Sequence, residues 1–410
     1  MSTAVLRCSL GDVAILTGYL RLPVRGNWAA SVECAGVTVP SGACSILIYP
    51  EQRTGEPIKP PSTFAGFVRF ADVIEGSNTL TVEVVGGAGQ LLQQLPPLDY
   101  VTGVTQVPAG TVLAAIVSAL PGEQLAAGVA QALNAYPLPR WHRAGGTTAK
   151  DAIDILVYDL ATVTGLPLGW RVLPDGTIWA GLETWPTLDA ATVEAEYAGQ
   201  VTTDGVVLYA TSGAPLLPGW TITSTGPGGG LSAQAVEVVY TLVPPALRTR
   251  VRHALPSDAP FAPDLSLYAR PWPASLAAPQ NADGTVNVTC DDARMGDMRS
   301  LPVRLGIPGA AVVGLPGPPS AARVRVAFDG ASPRGAFAFL ADQDPTATHP
   351  LALVGDGVNV GSLAAVAPVG GGAVVFYYQP PVGAGQVGSS ITLSGSVAGP
   401  GHKYTRGVSA

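Results

Sequence analysis

The stretch from Gln280 to Gly330, QNADGTVNVTCDDARMGDMRSLPVRLGIPGAAVVGLPGPPSAARVRVAFDG, limits the fold more than any other part of the chain. After an Asp283-Gly284 turn, Val286, Val288 and Cys290 fall on one face, and Thr285, Asn287 and Thr289 on the other. In the later run ARVRVAF, Ala322, Val324, Val326 and Phe328 share a face, with Arg323 and Arg325 opposite. A helix repeats every 3.6 residues and cannot gather such a set on one side. Period-two alternation bounded by Gly and Pro marks half-buried antiparallel strands. The loop Leu315-Pro-Gly-Pro-Pro319 separates the two runs. Short strands of this kind protect their edges best when closed into a small barrel.

The same pattern recurs upstream. Residues 1–100 predict a first small barrel, with strands over Val13–Leu22, Trp28–Cys34, Ser45–Tyr49, Phe64–Val73 and Thr79–Val85. In the last of these, Leu80, Val82 and Val84 oppose Thr79, Thr81 and Glu83, and Glu75–Asn78 supplies a hairpin turn. Residues 196–256 repeat the signature over Val206–Ala210, Trp220–Thr225 and Ala235–Val243 and predict a second barrel. No internal sequence repeat links the two. The chain has 50 Gly and 38 Pro, 88 of 410 residues, with 47% hydrophobic and only 12% charged residues. That apolar content argues against disorder, and the turn formers argue for a β-rich, loop-rich protein of several domains.

Between the barrels, residues 101–195 change period. Val112, Leu113, Ile116, Val117 and Leu120 recur at helical spacing, and Pro121-Gly122 ends that helix. A second helix is expected within Gly122–Asn134. A third is expected from a Thr147 or Thr148 cap to Thr164, with Ala149, Ile153, Leu156, Val157 and Leu160 as its buried stripe and Gly165 as its C-terminal cap. A hairpin follows, Trp170–Leu173 and Thr177–Trp179 about Pro174-Asp-Gly176. This is an α/β insertion. Residues 257–275 are Pro-rich and aperiodic and predict a linker. Residues 276–392 form the C-terminal barrel unit, and 393–410 a polar tail.

A search for reactive constellations returns little. His142, His253, His349 and His402 form no helical pair, and no GxSxG elbow is present. His142 sits in a Trp-His-Arg cluster at 141–143 that predicts a packed surface or interface residue. Asp291-Asp292 and Asp342/Asp344 are carboxylate pairs without a sequence sign of a cleft. Asp342-Gln-Asp344 has the residue types to bind a metal, and a polar β-loop is the preferred reading of it. The Gly86–Gly89 run lacks the ending of a phosphate loop and predicts a chain reversal. Thr249–His253 is a locally basic strand end. No catalytic, cofactor-binding or metal-binding residue, no cofactor and no enzyme activity are therefore expected.

The net charge is −7, and no Lys/Arg run suggests a grip on nucleic acid through its phosphates. Cys8, Cys34, Cys44 and Cys290 have no zinc spacing and are expected as free thiols of a reducing cytoplasm. The start, MSTAVLRCSLGDVAIL, lacks the pattern of an export signal, and VLAAIV at 112–117 is too short to span a bilayer. A weakly charged chain of this kind suggests burial in an assembly.

Two stretches carry a resemblance. DGTVNV…LPVRLGIPG…ARVRVAFDG, over about 280–335, resembles the OB domain at the base of phage tail spikes. WHRAGGTTAKDAIDIL…LPLGWRVLPDGTIWAGLETWP, over 141–186, is similar to the insertion domain of baseplate hub proteins of the late-control-D and VgrG type. The resemblance implies a mainly β fold with an α/β insertion: two tube-type β-barrels plus a C-terminal OB-fold barrel. It implies a structural baseplate hub of a phage tail or related injection system, a homotrimer whose six barrels match a six-fold tail tube to a three-fold spike. Its partners would be the tail tube or distal tail protein above, a spike tip protein below and the tape measure protein in the lumen. The tube end would stay closed until genome ejection, with DNA passing without specific binding. Its place would be the virion tail, after synthesis in the host bacterial cytoplasm. No lysozyme domain interrupts the chain, and no long β-helix repeat follows the OB unit, so wall digestion and the tip would belong to other chains. Two other classes stay open: a receptor-binding or adhesin protein with an aromatic groove near Trp179 and Trp185, and a cell-wall-cleaving enzyme.

Overall fold

Six strands open the chain in a computed structural model: β1 (Thr3–Cys8), β2 (Gly11–Pro23), β3 (Ala29–Ala35), β4 (Gly42–Tyr49), β5 (Ser62–Val73) and β6 (Thr79–Gly86). The structure describes residues 3–49, 60–74, 76–101, 106–182, 197–202, 205–209, 217–219, 221–224, 231–243, 248–252, 262–304, 310–312, 315, 317–318, 321–339, 351–355, 358–359, 363–369, 373–378 and 391–393. The strands pair antiparallel in the order β1-β4-β5-β6-β3-β2, and a β1–β2 pairing closes the ring. Alternation explains the closure. Leu80, Val82 and Val84 of β6 are 2% exposed or less, and Leu6, Leu20, Ile46 and Phe64 on the other strands are fully buried. Each such side chain contributes about 1.5–3 kcal/mol through burial. The barrel is a packed core. The sequence reading omitted β1, because it is short and lies at a terminus, yet without it the ring stays open.

Next come β7 (Leu98–Tyr100), β8 (Val107–Pro108), α1 (Ala109–Ser118), α2 (Val129–Leu133), β9 (Pro137–Leu138), β10 (Trp141–Arg143), α3 (Ala149–Thr164), β11 (Leu168–Val172) and β12 (Ile178–Leu182). Helix α3 has the expected caps: Thr148 Oγ1 accepts from Asp151 N at 3.1 Å, and Gly165 is left-handed at φ 67°. Its predicted stripe is buried throughout. Helix α2 is shorter than expected. Residues before it are extended instead: Leu125 bridges Ile178, Ala126 N donates to the Ile178 carbonyl, and Gly128 at φ 78° turns the chain into the helix.

The following strands are β13 (Tyr197–Thr202), β14 (Gly205–Tyr209), β15 (Thr221–Ser224), β16 (Leu231–Gln234), β17 (Glu237–Thr241) and β18 (Arg248–Arg252). β13 pairs with β14 and β15 with β16. The long strand β2 serves three partners. β1 takes Gly11–Ala14, and β17 takes Tyr19–Pro23. β3 pairs along its other edge. A bulge between Ile15 and Thr17 bends β2, so the barrel sheet continues through β17 into β18.

The remaining strands are β19 (Trp272–Leu276), β20 (Val286–Cys290), β21 (Asp297–Leu301), β22 (Ala310–Val312), β23 (Arg323–Phe328), β24 (Ala336–Phe339), β25 (Leu351–Gly355), β26 (Val358–Asn359), β27 (Leu363–Val369), β28 (Ala373–Tyr378) and β29 (Ile391–Leu393). Five of them form a sheet in the order β21-β20-β19-β23-β24. Its ends meet through a parallel Val303–Ala338 bridge, with Arg304 N to the Ala338 carbonyl at 2.8 Å and Ala338 N to the Pro302 carbonyl at 2.9 Å. The result is a nearly closed barrel. The predicted faces hold: Val286, Val288, Val324 and Val326 are buried, and Arg323 and Arg325 are exposed. Strand β19 lies within the Pro-rich stretch read as linker. Proline hides the alternation there, but Trp272, Ala274 and Leu276 point inward between two neighbours.

The chain divides into two compact units. The first comprises 1–96, 106–139 and 146–265, and the second 97–105, 140–145 and 266–410. The fold is mainly β, with few helices. Among the described residues, no helix is long and apolar enough to cross a membrane.

Candidate functional site

In the first unit, the outer face of the six-stranded barrel carries the exposed apolar side chains. Register places Tyr19 opposite Ser31, Ser31 opposite Glu83, and Glu83 opposite Phe70, in one row across β2, β3, β6 and β5. Tyr19 and Phe70 are 50% and 51% exposed. Leu16, the extra residue of the β2 bulge, is also exposed, as are Val73 and Ile74 at the end of β5. Large apolar groups on the outward side of alternating strands suit a barrel that packs against other protein.

The backbone beneath that face is tightly fixed. Gly18 has φ +149°, and a Cβ there would lie 2.4 Å from the Ser31 carbonyl and 2.7 Å from Val32 Cα. Only glycine lets β2 and β3 approach so closely. At the junction of β2, β17 and β18, Glu237 is 2% exposed and pairs with Arg21 and with Arg252, the latter at 3.2 Å. Both carboxylate oxygens thereby gain a cation, which offsets the cost of burying the charge.

This unit also carries an open cavity of about 600 Å³, lined in part by Arg7, Cys8, Ser45, Gln124, Asp175 and Thr177. Its one cation among the described residues is committed: Arg7 Nε and Nη2 hold Asp12 at 2.7 and 2.9 Å. That pair keeps the Asp12 carboxyl below the usual carboxylate range. Asp175 accepts from its own turn, from Thr177 N at 2.9 Å and Thr177 Oγ1 at 2.7 Å. The nearby Gly86–Gly89 run is a turn after β6, with Gly87 and Gly89 left-handed. Gln90 N donates to the buried Glu123 carboxylate at 3.0 Å, and a Cβ on Gly87 would meet Glu123 Oε2 at 2.5 Å. A loop already facing a carboxylate repels a phosphate, which agrees with the chain-reversal reading.

In the second unit, the Trp141-His142-Arg143 cluster is strand β10, wholly buried and paired with β7. Asp99 Oδ2 accepts from Arg140 Nη2 at 2.8 Å and from Arg299 N at 3.0 Å. Arg140 also donates to the Arg299 carbonyl at 2.7 Å. His142 Nδ1 lies 3.6 Å from Asp99 Oδ1, and its ring stacks near Phe328 with centroids 5.9 Å apart. Tyr268 Oη donates to the His142 carbonyl and accepts from Ala144 N, each at 3.0 Å. Among the described residues, no hydroxyl or thiol nucleophile takes a hydrogen bond from or to the imidazole. The cluster binds chain segments together as a packed set, but His142 is wholly buried and does not lie at a surface as expected.

The other sequence candidates separate. Asp291 pairs with Arg323 and Asp292 with Arg294, so the two carboxylates do not converge on one point. The hydrogen bond from Arg294 holds Asp292 down to about 2. Cys34, Cys44 and Cys290 are buried, and desolvation pushes each thiol up to about 12. Among the described residues, no group of three or more His, Cys, Asp or Glu is placed to hold a metal ion. His253, His349, His402, Asp342, Asp344 and Trp185 lie outside the described residues. Trp179 is 2% exposed, with the Arg171 guanidinium 5.0 Å from its ring, so it lines no open groove. Sequence reasoning missed the Asp99–Arg140 pair, because residues 41 apart with no shared motif give no local signal.

No protein-family model matches the chain, and no curated protein matches it in sequence. Among solved structures, it is similar to the E. coli c3393 protein, a component of the type VI secretion system with structural similarity to the T4 bacteriophage tail proteins gp27 and gp5. That likeness has a TM-score of 0.53 at 12% identity and covers 82% of this chain and 98% of the other. A tail protein from Neisseria meningitidis MC58 is similar at TM-score 0.42 and 13% identity, covering 64% of this chain and 98% of the other. The 43 kDa tail protein of prophage MuSo2 from Shewanella oneidensis is similar at TM-score 0.42 and 8% identity, covering 62% and 98%. The first of these likenesses shows a shared fold.

Proposed function

We propose that this chain is a structural hub of a phage-type tail or related injection apparatus, a homotrimer that joins a six-fold tube to a three-fold spike and closes the tube end. The carrying observation is the closed six-stranded barrel whose strand β2 runs on into β17 and β18 of the same unit. One barrel that hands its sheet directly to a second β module supplies two tube-like elements per chain, and three chains then supply six. The fold shared with a secretion-system protein over 82% of the chain supports the same reading. The sheet of the second unit adds to it. Counted from β19, its strands run third, second, first, fourth, fifth, and the third end bridges the fifth in parallel. A partly open five-stranded barrel of that kind is what an OB fold requires. The exposed row from Tyr19 to Phe70 would meet neighbouring barrels or the tube. The chain works by assembly, without a catalytic step of its own.

Light scattering on the purified chain, with negative-stain images of the same peak, tests this. A species of about three times 41.6 kDa that images as a ring with a central axis is the expected result. A chain that stays monomeric at its highest soluble concentration, with no ring in the images, overturns the hub reading.

A further inference from the structure

We propose that the outer face of β23 and β24 in the second unit is a binding surface for single-stranded nucleic acid. Strand β24 reads Ala-Phe-Ala-Phe, and its alternation is inverted. Ala336 and Ala338 point inward at 3% and 0% exposure, while Phe337 and Phe339 point outward and are only half-buried. A strand selected only to pack a barrel would place its large apolar groups inside. The two phenyl rings lie side by side, with centroids 6.1 Å apart and planes at 39°.

A guanidinium stands at each end of the ring pair. Arg304 sits 4.3 Å over the Phe337 ring, and Arg325 is the direct cross-strand partner of Phe339. Arg325 is exposed and has no ion pair among the described residues. Arg304 pairs with Asp329 at 2.9 Å, with both side chains half in solvent, a contact weak enough to exchange for a phosphate. The described residues of the second unit hold nine Arg and six Asp, with no Lys and no Glu, a surplus of three positive charges in a chain of net charge −7. Scattered along the sequence, these arginines form no basic run. Strand pairing brings Arg325 to the aromatic face.

Exposed aromatic rings flanked by cations are the elements on which unpaired bases stack while their phosphates are neutralised. Arginine suits both tasks, since its planar fork meets phosphate and lies flat on a ring. An added peptide strand is the poorer occupant. Ala338 already exchanges both backbone bonds with Pro302 and Arg304, so β24 presents no free edge there. The site stands in the second unit alone and holds whether or not the chain forms a ring.

Fluorescence anisotropy of a labelled oligo-dT strand with the full chain tests it. Binding at low salt that weakens steadily as salt rises is expected. Phe337→Ala and Phe339→Ala should each weaken it by about 5- to 100-fold. Arg325→Ser should lower the slope of log affinity against log salt by about one. Circular dichroism of each variant reports its fold, and the exposed Arg325→Ser keeps the test valid if a Phe variant misfolds. Four results overturn the site: no binding at low salt, equal binding of a duplex of the same length, displacement by polyglutamate at equal charge concentration, or folded variants that bind as the parent does.

Discussion

Arg140 donates from Nη2 to Asp99 Oδ2 at 2.8 Å, with side chains only 7% and 5% exposed, and this pair secures β10 and β7 within the second unit. The same Asp99 oxygen takes the Arg299 amide, so one carboxylate serves a cation and a strand backbone together. Removing it leaves a buried guanidinium without a counter-charge. Asp99→Ala is expected to cost about 3–5 kcal/mol. Asp99→Ala combined with Arg140→Met should cost less than the sum of the single changes. Chemical denaturation of the four proteins checks this, and additive losses would show that the pair is not coupled.

Gly18 makes a second, sterically defined prediction. Gly18→Ala puts a methyl carbon against the Ser31 carbonyl and Val32 Cα, both backbone atoms that cannot rotate away. The β2–β3 pairing must open, at about 3 kcal/mol or more. Thermal melts should show the loss. Gly76→Ala offers a control: Gly76 is also left-handed, at φ +77°, but its Cβ position is open, so only the backbone preference is lost.

Helix α3 starts on one side chain. Thr148 Oγ1 accepts the Asp151 amide at 3.1 Å and donates to Asp151 Oδ2 at 2.7 Å. Thr148→Ala is expected to cost about 1 kcal/mol, and Thr148→Ser almost nothing. Urea midpoints at unchanged slope would give both values.

Thiol accessibility and pH give a further test. Burial raises Cys34, Cys44 and Cys290 to about 12 from an ordinary value near 9. A thiol raised on folding contributes stability that is fully present below its unfolded value. That contribution is lost as pH climbs from about 9 toward 12. Native chain at pH 8 should alkylate at Cys8, which is only half-buried, well before the other three, and all four should react in denaturant. Mass spectrometry after timed iodoacetamide resolves the order. Early loss of Cys34 or Cys44 would contradict the closed barrel interior.

The alternating strands were legible in the sequence, because a half-buried strand writes its two faces as a period of two. Leu80, Val82 and Val84, or Val324 and Val326, needed no partner to be identified. Helix α3 was legible for a related reason: successive stripe residues lie within four positions of each other, and each cap sits beside its own helix end. Closure was not local. That β1 completes the ring depends on its pairing with β4 as well as β2, and that β2 shares one edge between β1 and β17 depends on contacts across more than 200 residues; no short window contains either. Trp272–Leu276 was hidden by its prolines until two neighbouring strands supplied its hydrogen bonds. The charged clusters could not be read from any motif. Asp99 meets Arg140, and Arg325 meets Phe339, only because strand pairing sets them opposite each other. The sequence by itself determined which residues face inward, since burial acts on each side chain separately. Only the tertiary structure decided which inward and outward faces meet, since pairing is a property of two strands at once.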